Sequence, residues 1–281
     1  MTRRPLALAA VLVTAACVGR TPAPAAPRTA AAPAVPVAPR EPATLTYVTG
    51  NARYRLDQTT HVVQEVMGQV NTTDISSHQI LSAAITQSAG NLALALTFDS
   101  IEVMDPTGAA GGVTAARGQT FRFVLAPSGL VVSTTLPDST NPIFRQIGSG
   151  LGDLLPHLPS SPIAAGQTWS DTVTRLTGEA AISTHFVRQH RVVGWEDHDG
   201  ARALHITTTS NYTVTGTTEA QGQPIELNGT GVSTRDAFVS AVGFFLGSVE
   251  SDSALVNASV TSMGLVVPVH QTRRSTIARV P

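Results

Sequence analysis

The chain has 281 residues, enough for one large β domain or two small ones once a leader is set aside, and its net charge is −1. All 18 basic residues are arginine and only 5% of the chain is aromatic. The basic excess and the stacking platforms of a nucleic-acid binder are therefore missing. A single cysteine excludes an internal disulfide, which leaves burial and sheet hydrogen bonds to hold the fold.

Arg3 and Arg4 open the chain with positive charge, and residues 6–16 are apolar or small. That run is shorter than the about 20 residues a membrane-spanning helix needs and has the layout of a secretory signal peptide over residues 1–16. The tetrad Thr14-Ala15-Ala16-Cys17 resembles the bacterial lipobox, with Thr14 where a leucine is usual. The resemblance implies that Cys17 is acylated, with palmitate-type chains, and becomes the mature N-terminus. Its partner is then the membrane, which several acyl chains would hold stably and one alone only marginally. Val18 stands where an aspartate would mark retention at the inner membrane, so the same resemblance implies the outer membrane, facing the periplasm. An ordinary signal peptide that happens to contain a cysteine is the alternative.

Residues 17–43 form a linker, with prolines at 22, 24, 27, 33, 36, 39 and 42 separated mostly by alanine. Proline at this density excludes regular helix and favours extended polyproline II. At about 3.1 Å per residue such a tether reaches up to about 80 Å.

From residue 44 to 281 the texture changes to alternation. Leu92, Leu94, Leu96 and Phe98 share one strand face, with Ala93, Ala95, Thr97 and Asp99 on the other. Phe121, Phe123 and Leu125 repeat the pattern, as do Leu204, Ile206, Tyr212 and Val214 against His205, Thr207, Thr209 and Asn211. Period two with a threonine-rich second face predicts half-buried antiparallel strands. Glycine-containing breaks such as EDHDG (196–200) predict hairpin connections. The stretch HVVQEVMGQV also fits a helical stripe, but four of its five apolar residues are β-branched, which predicts strand.

One helix is predicted, over residues 141–158. Ile143, Phe144, Ile147, Leu151, Leu154, Leu155 and Leu158 recur at spacings of one, three and four; Asn141 caps the start, Pro142 follows it, and Pro156 marks the end. Gly148, Gly150 and Gly152 each cost about 1 kcal/mol against alanine in a helix interior, so burial must outweigh them or the segment splits into shorter turns. The helix separates two β-rich halves, 44–137 and 163–281.

Catalytic patterns are absent: there is no G-x-S-x-G elbow, H-E-x-x-H helix, C-x-x-C pair or phosphate-binding glycine loop. The expectation is a protein that is not an enzyme and that holds neither metal nor cofactor. His185 and His190 lie five apart, which on a strand turns the rings to opposite faces. His157 and His270 have no partner at ligand spacing. Trp169, in SPIAAGQTWSDTV, is similar to a tryptophan that opens a strand in exported bacterial β proteins and packs beneath the sheet.

Taken together, these features resemble the bacterial lipoprotein-carrier class, in which a strongly curved antiparallel half-barrel holds a helix in its concave face. The resemblance implies a lipid or other hydrophobic ligand between sheet and helix. The lining would then be Leu92, Leu94, Leu96, Ile143, Phe144, Ile147, Leu151, Leu154 and Leu155. The same residues would equally make a filled core in a structural lipoprotein whose partner is an envelope protein, since interiors normally pack to crystal-like density.

Overall fold

Alternating residues sort the strands onto two faces. Leu92, Leu94, Leu96, Phe98, Phe121, Phe123 and Leu125 are all buried, and each such side chain taken from water contributes about 1.5–3 kcal/mol. The computed structural model describes residues 41–66, 68–105, 109–177, 182–220 and 223–280. The leader, Cys17 and the linker as far as residue 40 lie outside them, as does Met67.

Five strands precede the helix: β1 (Gly50–Val66), β2 (Gln69–Ser88), β3 (Asn91–Met104), β4 (Thr120–Leu125) and β5 (Val131–Thr135). The helix α1 (Pro142–Leu151) follows. Six more strands complete the chain: β6 (Thr168–Thr177), β7 (Ile182–His198), β8 (Ala201–Ala220), β9 (Gln223–Ser240), β10 (Phe245–Val260) and β11 (Leu265–Val280). All belong to one antiparallel 11-stranded sheet in the order β5-β4-β3-β2-β1-β11-β10-β9-β8-β7-β6. The β1–β11 ladder, from Arg53↔Val280 to Gln64↔Val269, welds the two halves into one surface. The sheet does not close: β5 and β6 are its edges, and the protein is a half-barrel.

In the stretch that also fits a helical stripe, residues 61–66 are strand in β1 and residues 69–70 strand in β2, with Gly68 in a turn between them. EDHDG is a hairpin tip, with Asp199 and Gly200 both in the left-handed region (φ 50° and 77°), as a two-residue turn matched to sheet twist requires.

Among the described residues, several pieces of chain outside the strands cover the inner face. Residues 43–48 run across one end of the strands: Tyr47 N–H donates to the Pro127 carbonyl at 3.2 Å, Val48 N–H to that of Gly243 at 3.4 Å, and Leu45 and Tyr47 are buried. A 3-10 segment, Ala109–Ala116, lies near β3. The helix α1 is another. Asn141 Oδ1 accepts from Ile143 N–H at 2.9 Å and Phe144 N–H at 3.4 Å, with Pro142 in the first turn, as its sequence dictates. Gly148 is buried against Leu136 and Phe121; a Cβ there would meet Leu136 Cδ2 at 2.3 Å. This glycine lowers helix propensity and allows close packing.

The helix ends at Leu151 rather than at 158. Asp153 and Leu154 N–H close tight turns onto Gly150 and Leu151, while the carbonyls of Asp153 and Leu154 accept from Arg235 at 2.5 and 2.6 Å. Pro156 has no N–H to continue the ladder, and its carbonyl accepts from the Tyr47 hydroxyl at 2.7 Å. The apolar stripe continues through Leu154, Leu155 and Leu158, all buried, on a non-helical segment bound to the sheet.

Candidate functional site

Halfway along the strands the inner face turns polar. By register, His190, Thr208, Arg235, Glu250 and Ser275 form one cross-strand row over β7, β8, β9, β10 and β11. The next row is Asp171, Arg188, Ser210, Ser233, Asp252 and Arg273. The first row abuts the apolar residues Val192, Ile206 and Ala237 one step along the same face. The post-helix segment lies on these rows. Asp153 Oδ1 and Oδ2 accept from both terminal nitrogens of Arg188, at 3.0 and 2.8 Å, and Arg175 closes on the same carboxylate. Such a two-pronged pair fixes geometry as well as charge.

Between α1 and the sheet is a cavity of about 230 Å³. Phe98, Val113, Ile147, Leu151, Leu154 and Ile277 give it an apolar wall; Arg175, Arg235, Glu250 and Arg273, with Gln58 and Ser275, give it a polar one. A smaller void of about 60 Å³ shares Asp153, Arg175, Arg235, Glu250 and Arg273 and extends to Leu155, His157, Arg188 and His190. Around the two voids four guanidinium groups face two carboxylates, Asp153 and Glu250. The Nε–H groups of Arg175, Arg235 and Arg273 are buried and have no acceptor among the described residues. An unmade hydrogen bond on a buried polar group costs about 1–3 kcal/mol.

Burial, and then the charge of Arg188, bring Arg175 down to about 10, so it remains a cation at neutral pH. Burial likewise lowers Arg188 and Arg235. Asp252, which accepts from the Tyr212 hydroxyl at 2.9 Å, is pushed up by burial against the pull of Arg273.

The nine residues named from the sequence separate into three groups. Ile147, Leu151 and Leu154 line the larger cavity and Leu155 the smaller. Leu92, Leu94, Leu96 and Phe144 are packed in the core. Ile143 packs against the core from the 3-10 segment's side, where a Cβ on Gly112 would meet its Cδ1. Trp169 stands at the start of β6, packed against the core and stacked on His190 with ring centroids 5.1 Å apart.

His157 has partners that its sequence neighbours do not announce. Its Nδ1 lies 2.6 Å from Asp171 Oδ2, and His190 Nε2 lies 3.2 Å from the same oxygen. His185 instead meets Thr174, at 3.1 Å, on the exposed side. Burial pushes the Asp171 carboxyl up, but the hydrogen bonds from His157 and His190 and the charge of Arg188 outweigh it, and it sits well below the usual carboxylate range.

No family model matches the sequence, and no curated protein matches it. Among solved structures the chain is similar to a domain described as an outer membrane lipoprotein-sorting protein from Vibrio parahaemolyticus. The two share 9% identity over 81% of this chain and 83% of that one, with a TM-score of 0.17. A DUF1329 family protein from Desulfovibrio piger gives 9% identity over 82% and 84%, with a TM-score of 0.17. OmpT, an outer membrane protein of Vibrio cholerae, gives 7% over 82% and 99%, with a TM-score of 0.18. Superpositions this loose carry no functional inference.

Proposed function

We propose that the chain is a non-enzymatic cell-envelope lipoprotein, tethered to the outer membrane through acylated Cys17. In this reading it binds an amphiphile with an anionic head, such as a fatty acid or acidic lipid, between α1 and the inner sheet face. What supports the reading is a single juxtaposition: three arginines whose buried Nε–H donors are unused among the described residues share a cavity with an apolar wall. An anionic oxygen would complete those hydrogen bonds, and charge-assisted bonds are roughly twice as strong as neutral ones. The cavity is smaller than the about 300–1,000 Å³ of drug-sized pockets. It suits a head group and the start of a chain, and a longer tail requires α1 to shift.

The test is isothermal titration of the purified chain with dodecanoate and with dodecanol, both below their micelle concentrations. The carboxylate is expected to bind at least about tenfold more tightly, because only it can satisfy the buried donors as an anion. Equal affinities, or no binding of either, would overturn the proposal.

The second reading is a protein partner on the outer face. It is favoured by exposed Val187, Val232 and Leu255, which line a shallow depression with His185 and His270.

A further inference from the structure

We propose that His157, Asp171 and His190 form a binding site for a divalent transition-metal ion of the zinc class. Their ligand atoms, His157 Nδ1, Asp171 Oδ2 and His190 Nε2, all lie within 4.8 Å of one another. They come from three separate pieces of chain: the post-helix segment, the edge strand β6, and β7. Two imidazoles and one carboxylate with a position left open is a donor set for zinc or a neighbouring first-row metal. Calcium and magnesium prefer oxygen alone.

The surroundings hold these groups in place. His190 Nδ1 is 2.9 Å from Thr208 Oγ1, so an Nδ1–H donated to that hydroxyl leaves the Nε2 lone pair for a metal. Trp169 stacks on the His190 ring at an interplanar angle of 19° and fixes its plane. Both imidazoles crowd one oxygen of Asp171 while the other, Oδ1, is buried without a hydrogen bond among the described residues. Arg188 Nε is 3.9 Å from that oxygen, but the guanidinium is already paired with Asp153, which offsets its charge beside a cation.

At metal–ligand distances of about 2.0–2.2 Å a tetrahedral ion separates its ligand atoms by about 3.3 Å. The His190–Asp171 spacing of 3.2 Å already meets this; the 2.6 Å His157–Asp171 spacing must open around an ion, and the two imidazole nitrogens lie within 4.8 Å of each other. His157 and His190 both line the smaller void, which leaves room beside the site for a fourth ligand such as water. A bound ion would clip the post-helix segment to the sheet edge. None of this rests on the amphiphile reading.

The experiment is titration with zinc chloride of the full chain, freed of metal by a chelator and carrying no histidine tag, followed by calorimetry and by thermal unfolding. One ion per chain is expected, with a raised unfolding temperature. His157→Gln and His190→Gln should each weaken affinity by at least about tenfold through loss of a ligand, while His185→Gln leaves it unchanged. If His190→Gln fails to fold, His157→Gln on the non-helical segment decides alone. Affinity unaltered in His157→Gln, or equally weakened in His185→Gln, would overturn the site, as would the absence of saturable zinc binding.

Discussion

Replacing Phe121 with alanine is expected to cost about 3–5 kcal/mol of stability, read from urea unfolding of the purified chain. Phe121 is fully buried on β4 and meets Phe98 of β3 and Phe144 of α1, each edge-on with ring centroids 5.8 Å apart. It joins sheet to helix. Truncation removes its own burial and both ring contacts, and leaves a cavity between the rings of Phe98 and Phe144. Phe121→Leu retains part of that volume and should cost clearly less. A loss below about 1 kcal/mol for the alanine variant would mean that α1 is not seated on β4, since a packed aromatic is not removed so cheaply.

The second large effect is expected at Asp153. Its carboxylate holds Arg188 at 2.8 and 3.0 Å and also meets Arg175, while its carbonyl accepts from Arg235. Asp153→Ala takes from two largely buried guanidinium groups the carboxylate that binds both, leaving only Glu250 and the more distant Asp171 as counter-charge. Removing one partner of a buried pair costs about 3–5 kcal/mol, and the partial exposure of Asp153 places the loss near the lower figure. The sign of a double replacement separates charge from shape. Asp153→Leu combined with Arg188→Met should be less damaging than Asp153→Leu alone, because no stranded charge remains at Arg188. A double variant worse than the sum of its singles would contradict this account of the cluster.

Much of the fold was legible because period-two alternation and burial have the same cause. Leu92, Leu94 and Leu96 could face inward only together, and Asn141-Pro142 could start a helix only where it does. The end of that helix was not legible from propensity. The pull of Arg235 on the Asp153 and Leu154 carbonyls comes from a strand about 80 residues further along the chain.

The polar rows were missed for a related reason. Arg175, Arg188, Arg235 and Arg273 are far apart in the sequence, and only the register of five ladders brings them together. One local signal existed. Thr208 and Ser210 occupy the same face as Leu204, Ile206 and Tyr212, which says that the inner face of β8 changes character midway. His157 offered no such sign, since its meeting with Asp171 and His190 depends on where the chain goes after Pro156.

The proposed function places an anionic amphiphile between α1 and the inner arginine rows. Photolabelling of the purified chain with a diazirine-bearing fatty acid, followed by peptide mapping, tests it most directly. The account predicts labels on residues 147–154 and on inner-face positions of β9, β10 and β11, all displaced by excess dodecanoate. Labels confined to outer-face residues such as Val187, Val232 and Leu255, or labels that dodecanoate does not displace, would contradict it.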